Sequence, residues 1–176
     1  MQLDKKLFGF CIGGFIFVGI VGVLMHFAYD WSGQNPLVGL VAAVNESTWE
    51  HMKLVFFPML AFVIYQHIKL NEEYPDIIYG GMYATVIGTF AIPVLFYGYQ
   101  AVLGETNAVI NILIFFVSVL IGMVFNYLLA DVCKGEICQI VALILTTLLM
   151  AGFFIFTSIP PEGLLFQEPE IATHKR

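Results

Sequence analysis

Charged residues are scarce in this chain: they make up 11% of its 176 residues, whereas hydrophobic residues make up 60%. The mean hydropathy of +0.89 lies above that of an ordinary soluble domain. Long apolar runs, rather than an amphipathic pattern, carry this excess. The composition therefore excludes an ordinary soluble domain and predicts an integral membrane protein in contact with the lipid bilayer.

Basic residues and cysteines are also few. Seven Lys and Arg stand against thirteen Asp and Glu, and the net charge is −6. The basic residues form no patch, which argues against a nucleic-acid partner. The three cysteines, Cys11, Cys133 and Cys138, form neither a disulfide framework nor a recognisable zinc motif.

Five apolar stretches are long enough to cross a bilayer as helices. They cover residues 7–27, a second span that begins near residue 45 and ends at residue 68, and residues 77–99, 107–130 and 138–159. Residues 37–44 are apolar but too short to cross, and they predict a half-helix started by Pro36. The expected fold class is an all-α membrane helical bundle with five spans and this half-helix. Residues 7–159 would form a single transmembrane domain, between a leader (residues 1–6) and a polar tail (residues 160–176).

The lysines favour one orientation in the membrane. With the N-terminus inside and the C-terminus outside, the inner side holds Lys5, Lys6, Lys69 and Lys134. The first outer segment has no Lys or Arg before residue 53, as the positive-inside rule requires. We therefore expect a plasma-membrane protein in this orientation, with Cys133 and Cys138 inside, reduced and unpaired.

The polar residues concentrate in residues 45–51, Asn-Glu-Ser-Thr-Trp-Glu-His, between apolar stretches. Such a cluster is costly in lipid, so it lies at the membrane surface or faces a protected cavity. On a helix, Glu46 and Glu50 share one face and Ser47 and His51 another. His26 and Asp30 pair in the same way near the end of the first span, on the same outer side. These residues predict an outward-facing acidic and histidine pocket.

Three sets of roles are predicted for this pocket. Two carboxylates and an imidazole from residues 45–51, together with His26 and Asp30, could hold a divalent metal such as zinc. Alternatively, Glu46 or Glu50 partnered by His51 suits general-base catalysis. The predicted metal ligands are His26, His51 and Glu46, the predicted catalytic residues are Glu46, Glu50 and Ser47, and the predicted residues for a small polar ligand or lipid headgroup are Asp30, Asn45, Trp49 and Lys53.

Structural interpretations compete with these roles. Ser47 and Glu50 have the spacing of a capping box at the start of the second span. Asn107, Asn111 and Asn126 lie on one face of the fourth span, where they either bond to neighbouring helices or line a polar path. Function is accordingly left among a metal-dependent hydrolase at the membrane interface, a small-solute or ion-coupled transporter, and a non-catalytic scaffold. Residues 164–166 of the tail are apolar, and they would either fold back over the outer opening or adhere to the membrane surface.

The segments HFAYDWS (residues 26–32), NESTWEHMKL (residues 45–54) and FFP (residues 56–58) resemble a signature of small multi-pass membrane proteins from Firmicutes-type bacteria. That family carries only a label of unknown function. The resemblance covers the first third of the chain and implies a bacterial plasma-membrane protein, without an activity.

Ser47 and His51 also resemble the Ser-x-x-x-His pair of the alkaline ceramidase-like membrane hydrolases, which hold zinc within seven helices. This chain has no His-x-x-x-His pair and only five predicted spans. The resemblance implies a hydrolytic site at the membrane interface.

Overall fold

The computed structural model describes residues 4–169, and within that range it is helical with no strand. In chain order the helices are α1 (Lys5–Trp31), α2 (Pro36–Gly39), α3 (Thr48–Leu70), α4 (Ile77–Leu103), α5 (Ala108–Leu129) and α6 (Glu136–Ser158), followed by a 3-10 turn (Leu164–Phe166). All except α2 and the 3-10 turn are long and apolar enough to cross a membrane. The expected all-α bundle with five spans is confirmed, and the chain is a multi-pass membrane protein. Residues 1–3 of the predicted leader and 170–176 of the predicted tail lie outside the described residues.

Helix α1 is longer than the sequence predicted. Asp4 caps its first turn by accepting the backbone N–H groups of Lys6 and Leu7, and its 27 residues extend about 40 Å. His26 lies 21 residues beyond Lys5, or about 32 Å along the helix. This distance matches the roughly 30 Å thickness of a hydrocarbon core. Lys5 and His26 are therefore far enough apart to lie at opposite boundaries of a membrane.

The predicted half-helix is shorter than residues 37–44. Helix α2 is a single turn, with Pro36 in its first position and Asn35 as its cap. Two side chains of α3 form hydrogen bonds with the backbone of α2 and of the segment after it. The Lys53 amine donates to the Gly39 carbonyl, and the Glu50 carboxylate accepts the N–H of Val44. Because these bonds replace helical ones, residues 40–47 return to α3 as an irregular segment.

Helix α3 is the centre of the bundle. It contacts α1, α4, α5, α6 and the 3-10 turn, and Phe56 and Met59 are fully buried within it. Helices α4 and α5 approach closely where Gly80 faces the carbonyl of Leu129: a Cβ at residue 80 would lie 2.2 Å from that oxygen. Small residues at such crossings let membrane helices pack backbone to backbone. The central position of α3 places the residues of the polar motif between the other helices.

At the end of the bundle where α1 begins, hydrogen bonds join α1 to two other parts of the chain. The Tyr74 hydroxyl donates to the Asp4 carboxylate, and the Asp4 N–H donates to the Tyr127 hydroxyl. The hydrogen bond from Tyr74 lowers the pKa of Asp4, and the same bond raises the pKa of Tyr74 to about 12. Asp4 is thus held as a carboxylate that both caps α1 and joins it to the loop before α4.

The cysteines correct one expectation. Cys133 and Cys138 are joined by a disulfide, whereas the sequence led us to expect two unpaired thiols. The turn before α6 brings their Cα atoms to 5.6 Å, within the range that a disulfide requires. Cys11 is free and buried in α1.

Candidate metal centre

The start of α3 sets the backbone of the site. Ser47 caps the helix, and its hydroxyl accepts the N–H of Glu50 at 3.4 Å. The Asn45 side chain accepts the N–H of Ser47 at 3.0 Å, which makes a turn just before the cap. Only half of the predicted capping box therefore forms, because Asn45 rather than Glu50 satisfies the N–H of Ser47. Glu46 lies in this turn and projects its carboxylate outward, with 59% of its side chain exposed.

His51 is oriented by the same turn. Its Nδ1 lies 2.9 Å from the Ser47 carbonyl oxygen, which can only accept, so Nδ1 is the donor. The lone pair of a neutral His51 is then on Nε2, and Nε2 faces the Glu46 carboxylate at 3.5 Å. A histidine whose other ring nitrogen donates to a carbonyl is the arrangement that commonly orients metal-binding imidazoles.

His26 completes the cluster from α1. Its Nε2 lies 3.8 Å from the second oxygen of Glu46, and its ring centroid lies 5.2 Å from that of His51. One ligand atom from each of His26, Glu46 and His51 lies within 4.8 Å of the other two. Both imidazoles are about one-third exposed, so the cluster opens to the surface while its histidines stay partly shielded.

Glu50 points into the protein and lies in a different environment. It is 2% exposed, and its carboxylate lies 2.5 Å from the Lys53 amine. The Thr157 hydroxyl of α6 donates to the Glu50 carboxylate at 3.1 Å and accepts from Lys53 at 3.0 Å. These contacts join α3 both to α6 and to the segment that follows α2. The structure thus separates the predicted catalytic Glu50 and ligand-binding Lys53 from the cluster of Glu46.

Trp49 and Asp30 lie in different environments. Trp49 is buried, and its ring packs on Phe153 of α6 at 4.8 Å between centroids and on Phe166 at 5.1 Å. Asp30 is exposed, one helical turn beyond His26 on α1. Among the remaining predicted residues, Asp30 is therefore accessible at the surface near His26, whereas Trp49 is packed in the core.

The model of one family, described as Family of unknown function (DUF6512), matches residues 3–174. The chain belongs to that family. No curated protein and no solved structure matches it. The DUF6512 match agrees with the resemblance seen in the sequence in its unknown-function label, while the bacterial origin and the motif as a family signature stay predictions.

The amides of the fourth span bond within the bundle of this DUF6512 chain. Asn107 caps α5, Asn111 accepts the Tyr99 hydroxyl at 2.5 Å, and Asn126 donates to the buried Gln66 of α3 at 2.8 Å. These partners support the interpretation in which the amides join helices. They do not favour the polar path that a transporter would need.

The tail folds back onto α3, α4 and α6. Tyr97 of α4 donates to the Leu164 carbonyl at 2.7 Å, and Phe166 packs on Trp49 and Phe156. The apolar residues of the tail made this folding back predictable from the sequence.

The contact of Thr157 with Glu50 could not be predicted, since a lone threonine in an apolar helix does not reveal a partner 107 residues away.

Proposed function

We propose that this chain binds a divalent transition metal, with zinc as the first candidate, through His26, Glu46 and His51 at one surface of the membrane. The observation that supports the proposal is the convergence of the three ligand atoms within 4.8 Å. They come from α1, from the turn before α3 and from α3 itself, so only the folded bundle brings them together.

The spacing of the three ligand atoms can be compared with that of a zinc site. Zinc holds nitrogen and oxygen ligands at about 2.0–2.2 Å, so neighbouring ligand atoms in a tetrahedron lie roughly 3.3 Å apart. His51 lies 3.5 Å from one carboxylate oxygen of Glu46, and His26 lies 3.8 Å from the other. With one ligand atom from each residue the three atoms lie within 4.8 Å of one another, so they would approach by up to about 1.5 Å to fill three corners of a tetrahedron. A simple ion-pair cluster would have the same distances without a metal, which makes metal content the deciding property.

The ligand set suggests hydrolysis. Two histidines and one glutamate are a known set for catalytic zinc, which keeps a fourth position for water or substrate and lowers the pKa of bound water. The chain would contribute the three ligands, the Ser47 carbonyl that orients His51, and an opening at the membrane boundary. We therefore propose a metal-dependent hydrolase that acts on a small polar molecule or a lipid headgroup. Because Glu50 is paired with Lys53, the proposal leaves it out of the chemistry.

Elemental analysis of the purified, tag-free protein tests the metal. We expect about one zinc per chain in the wild type and a loss of most of it in His26→Ala, His51→Ala and Glu46→Gln. Removing a direct ligand should exceed the roughly 10- to 100-fold loss of affinity that follows removal of a supporting residue. His67→Ala is the matched control, since His67 lies in the last turn of the same helix, at the other end of the bundle.

Either of two results would contradict the zinc proposal. Wild-type protein that binds no metal, with its stability unchanged by added zinc, would leave an ion-pair cluster. Stoichiometric iron instead of zinc would move the site to the class in which two histidines and a carboxylate hold Fe(II).

We also propose that the protein lies in a bacterial plasma membrane with its N-terminus inside. Lys5, Lys6, Lys69 and Lys134 support this orientation. The disulfide between Cys133 and Cys138 favours the opposite one, because it lies on the N-terminal side and disulfides persist in oxidising compartments. We give the lysines more weight, because the same short turn would place the two thiols close together even when they are reduced.

Thiol labelling decides between these two orientations. In a Cys11→Ala background, intact cells would be treated with a reductant and then with a membrane-impermeant maleimide. We expect Cys133 and Cys138 to be labelled only after the membrane is permeabilised. Labelling in intact cells would place the N-terminus outside.

A further inference from the structure

A long apolar groove runs between α1 and α3 at the end of the bundle opposite the histidines. Its volume is about 820 Å³, and its lining includes Lys5, Lys6, Gly9, Gly13, Phe17 and Ala61. The two lysines stand at one end, and the rest of the lining named here is apolar. The groove is separate from the candidate metal centre and independent of its proposed function.

Two glycines keep the groove open. Gly9 and Gly13 lie one turn apart on the same face of α1, and a Cβ atom at either would meet nothing within 4 Å. Because a membrane-spanning helix is surrounded by lipid tails or other helices, this concave surface is covered by one or the other. An elongated occupant that lies parallel to α1 therefore fits its shape.

The length of the groove matches one leaflet. From Lys5 to Phe17 the helix rises about 18 Å. Half of a hydrocarbon core is about 15 Å. An acyl chain that enters at the level of Lys5 thus lies along Gly9 and Gly13 and ends near Phe17, at the middle of the membrane.

Lysines at the Lys5 end of the groove indicate which lipid headgroup would bind there. Lys5 makes no ion pair within 4.0 Å among residues 4–169, while Lys6 pairs with Glu73. The amine of Lys69 lies 6.0 Å from the ring of Tyr65, a groove residue. Lys5 therefore lines the groove without a paired carboxylate among residues 4–169, and Lys69 lies beside Tyr65 of its lining. Basic pockets between membrane helices are suited to anionic lipid headgroups.

We propose that this groove binds an anionic phospholipid, with an acyl chain on Gly9 and Gly13 and the phosphate near Lys5 and Lys69. The competing occupant is a second copy of the chain, since two glycines four residues apart also suit helix pairing. Parallel docking of two copies would bring their like-charged lysines close together at the membrane surface, where their repulsion disfavours that occupant.

Native mass spectrometry of the protein in neutral detergent tests the proposal. Phosphatidylglycerol and phosphatidylcholine with identical acyl chains would be titrated side by side. We expect tighter binding of phosphatidylglycerol, and about a fivefold loss of that preference for each of Lys5→Gln and Lys69→Gln. Gly13→Leu should abolish binding of both lipids, because its side chain occupies the groove and its Cβ atom meets no neighbour within 4 Å.

Two controls separate the groove from general effects. Gly98→Leu adds the same side chain to another open helical glycine outside the groove, and Lys134→Gln removes another exposed lysine. Both should bind lipid as the wild type does. Equal binding of the two lipids in the wild type, or a Gly13→Leu protein that still binds them, would overturn the proposal. So would a wild-type dimer that Gly13→Leu converts to a monomer with no change in lipid binding.

Discussion

Glu46 and Glu50 are one helical turn apart in sequence and differ in every property that the fold controls. The Glu46 side chain is 59% exposed and faces two imidazoles, whereas that of Glu50 is 3% exposed and faces a lysine. Because Glu46 lies in the turn before α3, it does not share the helix face on which Glu50 lies. One motif thus has an outer half, whose carboxylate is exposed beside two imidazoles and carries the proposed metal site, and an inner half, which joins α3 to α6 and to the segment after α2.

The buried half has a clear energetic role. The Glu50–Lys53 pair satisfies the Val44 N–H, the Gly39 carbonyl and the Thr157 hydroxyl, which come from two other parts of the chain. A buried ion pair gains little over apolar packing when it is complete, but removal of one partner leaves an uncompensated charge. The pair is therefore best probed by breaking it on one side.

Lys53→Met should give the largest effect on stability. It leaves the Glu50 carboxylate buried without its cation, which costs about 3–5 kcal/mol. The measurement is the free energy of unfolding in detergent, followed through the fluorescence of the buried Trp49. The double variant Lys53→Met with Glu50→Gln should be more stable than Lys53→Met alone, because the amide removes the charge and still accepts hydrogen bonds.

Glu46→Gln is the matched control for this comparison. Its unfolding free energy without metal should stay within about 0.5 kcal/mol of the wild type, as for other exposed positions. If Glu46→Gln destabilised the protein as much as Lys53→Met does, the division of the motif into an outer and an inner half would be wrong.

Ser47→Ala should give a smaller effect that also distinguishes the halves. Loss of the cap costs about 1 kcal/mol of stability. The metal affinity should fall little, since the group that orients His51 is the backbone carbonyl of residue 47 and not its hydroxyl. Parallel thermal unfolding and zinc titration would check both parts. A large loss of zinc affinity with unchanged stability would mean that the hydroxyl itself serves the site.

Helix α3 illustrates how far local pattern reaches. Ser47 as a helix cap and Pro36 as the start of a helical turn could be predicted because each acts on backbone within three residues. The reciprocal bond of the capping box could not be predicted, since Glu50 finds a stronger set of partners in Val44, Lys53 and Thr157. Tertiary contacts overrode a local preference that the spacing alone favoured.

The candidate site divides in the same way. The grouping of His26, Glu46 and His51 was predicted from residue type and from the alternation of spans, which places the end of α1 beside the start of α3. The exclusion of Glu50, Lys53 and Trp49 from this group was not predicted. Their orientation depends on α6 and the tail, which contact α3 from more than 100 residues away.

The sequence by itself determined that the chain forms a bundle of five apolar helices, because the cost of exposing polar backbone to lipid leaves long hydrophobic runs one way to fold. It also determined where the costly polar residues lie along those helices. Only the tertiary structure decided that Cys133 meets Cys138, that Glu50 is buried with Lys53, and that Glu46 instead faces His26 and His51. The reason is that hydropathy acts segment by segment, whereas a polar side chain takes its role from partners that the packing of distant helices brings within hydrogen-bonding distance.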